Sequence, residues 1–307
     1  MSDANALLDD VVSSIEEWRE QDVRISPLSG GLTNSNYRVD VQGRSYVVRI
    51  PGRSTELLSI DRANERHNTE AAAETGVGAG VAYYVEKLGV IVLEFIDGAT
   101  MSPERLRTPD MARRMGESLR RLHSARRFLK DFDMFRLVEF YRSVVRERGI
   151  RIPDGYERAL PVVERIEAAL QRSPLPSAPC NNDLLAENYI DDGEALRIVD
   201  YEYSGNNEPS FELGNTALEC GFGPDLRAVL CEAYFGDASK ARLARMDVHA
   251  LMSDVGWTLW GSIQAAISDI DFDFWDYAKA RWRRAEDVLD SAEIEGALAA
   301  LGAPRRP

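Results

Sequence analysis

The apolar positions along the first third of the chain change period twice. Leu7, Leu8, Val11, Ile15 and Trp18 recur at helical spacing, which predicts a surface helix over residues 4–19 with one packed face. From Val23 the period drops to two. Val23 and Ile25 alternate, Ser29-Gly30-Gly31-Leu32-Thr33-Asn34-Ser35-Asn36 intervenes, and Tyr37, Val39 and Val41 alternate again before Gln42-Gly43 turns the chain into Tyr46-Val47-Val48-Arg49-Ile50. A helix opening at Ser59-Ile60-Asp61-Arg62 and stopping near Thr75-Gly76 separates these strands from two more, 81–85 and 90–95, joined by Lys87-Leu88-Gly89. Beyond Phe95 the pattern is helical. Met111, Met115, Leu119 and Leu122 make one apolar face, and residues 137–171 read as two helices broken near Pro153-Asp154-Gly155. Trp257, Trp260 and Gln264, then Phe274, Tyr277 and Arg281, each share a face of a late helix. The expected fold class is α+β with two lobes: a small antiparallel sheet lobe, residues 1–96, and a larger, mainly helical lobe, residues 97–307.

Composition narrows the partners. With 44% hydrophobic residues the chain can build full cores. A formal charge of −14 argues against nucleic acid and anionic membrane, whose phosphates would be repelled, and attracts a cationic substrate. Cys180, Cys220 and Cys231 fit neither a disulfide framework nor a paired zinc pattern, and His67, His123 and His249 lie in unrelated segments, so a reduced, cytoplasmic setting is expected. The acidic N-terminus lacks the order of a signal peptide, and no apolar run reaches the roughly eighteen residues of a membrane span.

The chemistry concentrates in Pro179-Cys180-Asn181-Asn182-Asp183-Leu184-Leu185-Ala186-Glu187-Asn188, followed by a β-run that ends at Asp200. Asp183 and Asn188 stand five residues apart, and Asp200 follows twelve residues on. That is the spacing of a phosphoryl-transfer centre, in which one Asp accepts the proton of a substrate hydroxyl while an Asn amide oxygen and a second Asp hold Mg²⁺ against the ATP phosphates. The bland alternative is a polar turn and a strand end. The Ser29–Asn36 string likewise reads two ways: glycines there would let backbone N–H groups of the segment containing Gly30, Gly31, Thr33, Asn34 and Asn36 approach phosphate, or it is simply a hairpin loop.

The catalytic stretch resembles the choline/ethanolamine kinase and aminoglycoside phosphotransferase group, whose fold is like that of protein kinases. The resemblance runs over about residues 27–290, most weakly between 125 and 175. It is carried further by Tyr201-Glu202-Tyr203-Ser204-Gly205 through Leu218-Glu219, and by W-x2-W-x3-Q with a following D-F-D-F-x2-Y-A-x2-R run. It implies ATP and Mg²⁺ as cofactors, Asp183, Asn188 and Asp200 as the catalytic set, and Asn188 and Asp200 as the metal ligands. It also implies Arg49 at the phosphate-binding strand position with Glu65 as its partner, and a hinge at Glu94-Phe95-Ile96 whose backbone would meet adenine. Trp257, Trp260 and Tyr277 map onto an aromatic cage for a quaternary ammonium, and Glu219 onto its acidic residue. Glu202 would support the metal, and Glu212 and Asn215 would brace the loop. Read without the resemblance, Glu65 could be a solvated helix residue and the aromatic stripe ordinary core.

Two departures stand out. Asn181 replaces the His that usually braces the catalytic loop, and Glu212 stands where Asp is commoner. The implied function is MgATP-dependent phosphorylation of a small cationic alcohol, choline first and ethanolamine second. The rivals are an aminoglycoside or other amino-sugar kinase, and a nucleotide-binding pseudokinase acting through a partner.

Overall fold

The computed structural model describes residues 2–28, 31–52, 55–289 and 291–302. Helix α1 (Ser2–Ser14) leads into five strands, β1 (Val23–Leu28), β2 (Ser35–Val41), β3 (Arg44–Ile50), β4 (Val81–Val85) and β5 (Val90–Glu94), which pair antiparallel in the order β1-β2-β3-β5-β4. Gln42 and Gly43 both have positive φ, 53° and 74°, the twist that a two-residue hairpin loop needs. Side chains alternate across a strand. Val39, Val41, Tyr46, Val48, Ile50, Val90 and Val92 therefore face one way and are covered by Leu8, Val11, Ile15 and Trp18. Arg49 projects from the other face, opposite Ile91 in the register.

Helix α2 (Arg62–Glu74) begins where the Asp61 carboxylate accepts the N–H groups of Ala63 and Asn64. It is fastened to the rest of the chain by two buried asparagines. Asn64 Nδ2 donates to Ser204 O (2.8 Å) and Asn68 Nδ2 to the same oxygen (3.1 Å), while their side-chain oxygens accept Lys130 N (3.1 Å) and Leu129 N (3.0 Å). The helix that carries Glu65 is thus held in place by the larger lobe.

That lobe contains β6 (Ala99–Thr100), α3 (Pro103–Leu106), α4 (Pro109–Leu122), α5 (Met134–Arg148), α6 (Leu160–Gln171), β7 (Ala178–Cys180), β8 (Tyr189–Asp191), β9 (Leu196–Ile198), β10 (Gly205–Asn207) and α7 (Pro209–Glu219). It continues through α8 (Pro224–Phe235), α9 (Lys240–Ile267), α10 (Phe274–Leu289) and α11 (Ala292–Gly302). Helix α9 is buried almost continuously from Ala244 to Gln264, and it packs against α5, α7, α10 and α11, which explains why its apolar pattern is not confined to one stripe. Close packing with α10 depends on Gly261: a Cβ there would lie 2.8 Å from Tyr277 Cδ1 and 3.1 Å from Ala278 Cβ. The molecule is α+β and two-lobed, as the periodicities and the resemblance together led one to expect.

Candidate active site

The loop after β7 is held from three sides. Asn182 sits at φ +71°, a conformation that Asn tolerates better than most residues; its Nδ2 donates to Cys180 O (3.2 Å) and Tyr203 O (3.2 Å), and its Oδ1 accepts from Asn207 Nδ2 (2.9 Å). Asn181 ties the two chemical loops together. Its Nδ2 donates to Asp200 O (2.6 Å), and its Oδ1 accepts Asp183 N (3.1 Å). The shorter side chain therefore does reach across. Glu212, fully buried on α7, accepts Asn181 N (2.7 Å) and Asn182 N (3.1 Å) through Oε1, while Oε2 is hydrogen-bonded to His123 at the end of α4. Asn215 Nδ2 adds a long contact to Leu184 O (3.5 Å).

Asn188 Nδ2 donates to Asp183 O (2.9 Å), which turns its amide oxygen to the other side. Asp200 is held at φ +68°, another left-handed residue, and its Oδ1 lies 2.6 Å from Arg49 Nη2. Asn188 and Asp200 offer oxygen atoms only. That donor set fits a hard cation such as Mg²⁺. Burial pushes the Asp183 carboxyl up to about 7; Arg281 pulls it down, while Asp200 and Glu219 add to the rise.

At the nucleotide end Arg49 Nη2 also lies 3.5 Å from Glu65 Oε1. Burial opposes the charge on Arg49, but Asp200, Glu65 and Glu202 outweigh it and hold the guanidinium protonated. Arg62 enters the same cluster, 2.5 Å from Glu65 and 3.5 Å from Glu202. Asn34 joins there too: Nδ2 donates to Glu202 Oε2 (2.8 Å) and Oδ1 accepts from Arg62 Nη2 (3.0 Å). Its side chain is thus spent on tethering the glycine loop to the larger lobe, as is the Leu32 carbonyl, which accepts from Gln264 Nε2 (2.9 Å). Gly31 has φ +96°, and a Cβ on it would meet Asn34 O at 2.6 Å; Gly30 lies outside the described residues. Thr33 is buried, and Asn36 has its Oδ1 buried with no hydrogen bond among the described residues. In the hinge segment Glu94 N is bonded to Gly80 O (2.8 Å) and Phe95 N to Ser45 O (3.1 Å), with Ile96 half-buried beyond them.

The predicted cage residues lie in a run of nearly perpendicular rings. Tyr203 and Trp257 have centroids 4.9 Å apart, Trp257 and Trp260 6.3 Å, and Trp260 and Tyr277 5.5 Å. Trp260 Nε1 donates to Tyr203 Oη (2.8 Å). Glu219 does not stand alone among them. Arg281 Nη1 lies 2.5 Å from Glu219 Oε1 and 3.3 Å from Asp254 Oδ1, and its guanidinium covers Tyr277, 4.8 Å from the ring centroid. Arg284 completes the group, 2.5 Å from Asp254.

A family profile described as choline/ethanolamine kinase matches residues 25–227. The chain belongs to that family. It is 28% identical to ethanolamine kinase 2 of Rattus norvegicus, across 87% of this chain and 76% of the rat protein. A choline/ethanolamine kinase family protein from Mesorhizobium loti superposes with a TM-score of 0.85 at 34% identity, covering 98% of this chain and 99% of the other. Choline kinase LicA from Streptococcus pneumoniae superposes at 0.79 with 26% identity, over 92% and 99% of the two chains. Spectinomycin phosphotransferase, at 14% identity and a TM-score of 0.57, shares the fold alone. This family member is accordingly an ATP-dependent small-molecule kinase. Among its described residues no helix is long and apolar enough to cross a membrane.

Three residues that touch the predicted site residues escaped the sequence reading. Arg62 had one available signal, its i, i+3 relation to Glu65. Tyr203 alternates with Tyr201 beyond Asp200, a pattern that marked an aromatic but not its partners. Asp254 lies three residues before Trp257 on the same helix turn, and nothing in the spacing announced that Arg281 would reach it.

Proposed function

We propose that this kinase transfers the γ-phosphoryl group of ATP to the hydroxyl of a small cationic amino alcohol, with choline preferred to ethanolamine. The observation that carries the reading is the pairing of Glu219 with Arg281 beside the Tyr203–Trp257–Trp260–Tyr277 rings. A primary ammonium has N–H donors that need acceptors, and Glu219 and Asp254 already serve arginines. A quaternary ammonium asks only for ring faces and a modest negative field, a contact worth about 2 kcal/mol when desolvated. The similarity to a relative named ethanolamine kinase supports ethanolamine as the second substrate.

In this reading residues 1–96 form the nucleotide lobe and 97–307 the catalytic and substrate lobe. Asp183 orients the substrate hydroxyl and accepts its proton, and the burial that raises its carboxyl makes it a better base than an exposed Asp. Arg49, steadied by Glu65, meets phosphate; the backbone of the Gly30–Asn36 loop covers it; the backbone of Glu94 and Ile96 meets the adenine edge. Asn188 and Asp200 would hold Mg²⁺, which supplies neutralisation of phosphate charge when bound. Catalysis then rests on positioning and charge.

The test is ADP release from MgATP with choline, dimethylethanolamine, ethanolamine and an aminoglycoside as acceptors. Turnover should rise with each methyl group. Ethanolamine as the best acceptor would overturn the preference for choline, and turnover with the aminoglycoside alone would overturn the substrate class.

A further inference from the structure

Behind the catalytic loop lies a cluster whose Glu212 braces that loop and whose His123 and Cys180 have no role assigned so far. His123 at the end of α4, Cys180 at the end of β7 and Glu212 on α7 bring one imidazole nitrogen, one thiol and one carboxylate oxygen within 4.8 Å of one another. Cys180 Sγ is 3.5 Å from His123 Nε2, and the same nitrogen is hydrogen-bonded to Glu212 Oε2. Donor atoms around a tetrahedral zinc ion, with bonds of about 2.0 to 2.3 Å, stand about 3.3 to 3.8 Å apart. We propose that His123, Cys180 and Glu212 form a buried binding site for a soft divalent cation of the zinc class, and that its occupancy acts on the catalytic loop through Glu212.

The donor set selects against the cation of the reaction. Mg²⁺ prefers oxygen ligands, whereas sulfur with imidazole suits Zn²⁺, Co²⁺ or Cd²⁺. Charge closes as well: a dication with one thiolate and one carboxylate is neutral, which a buried site requires. The thiol now points at Asn207 O (3.6 Å), and burial pushes it well up, so it carries its proton when no cation is present. Coordination forms the sulfur–metal bond and releases that proton to solvent. His123 needs no net proton loss. Its Nδ1 lies 2.6 Å from Tyr234 Oη, and a hydroxyl can accept as well as donate, so the ring can shift its proton to Nδ1 and offer a bare Nε2.

The coupling is through one carboxylate. Glu212 Oε1 holds the N–H groups of Asn181 and Asn182, immediately before Asp183, while Oε2 is the oxygen offered to the cation. A dication on Oε2 draws electron density and position away from the loop, so the loaded enzyme transfers phosphate more slowly. The three ligands come from distant segments, and no cysteine spacing could have announced them.

The test uses the full-length protein in excess Mg²⁺, titrated with Co²⁺ and then Zn²⁺. A single equivalent of Co²⁺ should produce a thiolate-to-cobalt charge-transfer band that Zn²⁺ abolishes. The band should be missing from Cys180→Ser and kept in Cys220→Ser, and Zn²⁺ should raise the Tm of the unaltered protein but not of Cys180→Ser. Thermal unfolding of Cys180→Ser and of Cys180→Ala shows whether each is folded. Absence of the band from the unaltered protein, or its persistence in either folded Cys180 variant, overturns the site. Zn²⁺ binding at Cys180 that leaves kcat unchanged overturns the coupling. The binding arm needs no acceptor alcohol, so a failure of the choline reading is recognised separately.

Discussion

The two ends of the site handle charge in opposite ways. At the nucleotide end three carboxylates, Glu65, Asp200 and Glu202, surround two guanidiniums, Arg49 and Arg62. Burial pushes the Glu202 carboxyl up, with Asp200 and Glu65 adding to the rise and Arg49 and Arg62 opposing it. At the amine end two carboxylates, Glu219 and Asp254, meet two guanidiniums, Arg281 and Arg284. Under the proposed function the first end would take in the cation that accompanies phosphate. The second pairs its carboxylates with arginines one for one, so under the same proposal discrimination between amines would fall to aromatic faces.

The largest expected effect lies between the two ends. Asp183→Asn should lower kcat by about 10³-fold while leaving ATP affinity, read by calorimetry, within about twofold. A parallel loss of ATP affinity would assign Asp183 to the nucleotide cluster and blur the division. Next comes Tyr277→Leu. Removal of its ring should cost choline about tenfold in kcat/KM, cost ethanolamine less, and leave the KM for ATP unchanged. Equal losses for both amines would mean that the ring merely packs.

Arg49→Lys probes the other end. A lysine keeps the charge but loses the planar fork, so the KM for ATP should rise about fivefold, roughly 1 kcal/mol, with the choline KM unmoved. The smallest effect at neutral pH comes from outside both clusters. Burial would raise the Glu208 carboxyl, but His249 and Arg245 override it and bring it from 4.5 down to about 2. A depressed carboxylate stabilises the fold fully above its unfolded value, and that stabilisation is lost as pH falls from about 4.5 toward 2. Thermal unfolding followed across that window should show a falling Tm, and Glu208→Gln should flatten the slope.

The sheet, the late helices and the catalytic loop were legible because their signals are local: period two, period 3.6, and D-x4-N before a strand. Arg49 facing Glu65 was legible through the resemblance. The side-chain partners were not. Asn34 pairs its side chain with Glu202, 168 residues away. Glu219 was read as the acidic residue of an amine cage, and its contact with Arg281, at 2.5 Å, was not foreseen. Residue type and spacing state what a side chain can do; which of two possible partners it meets is decided by how helices pack. Asn181 makes the same point favourably. It departs from the usual His, and the close approach of the two loops still brings its Nδ2 to 2.6 Å from Asp200 O.

Gly261 carries a consequence for the amine end. Its hydrogen occupies the place where a methyl group would come within 2.8 Å of the Tyr277 ring. The distance between the two helices is therefore gauged by an atom that is missing from one of them. If the proposed amine site is right, its width could be retuned from behind Tyr277, by a substitution at Gly261.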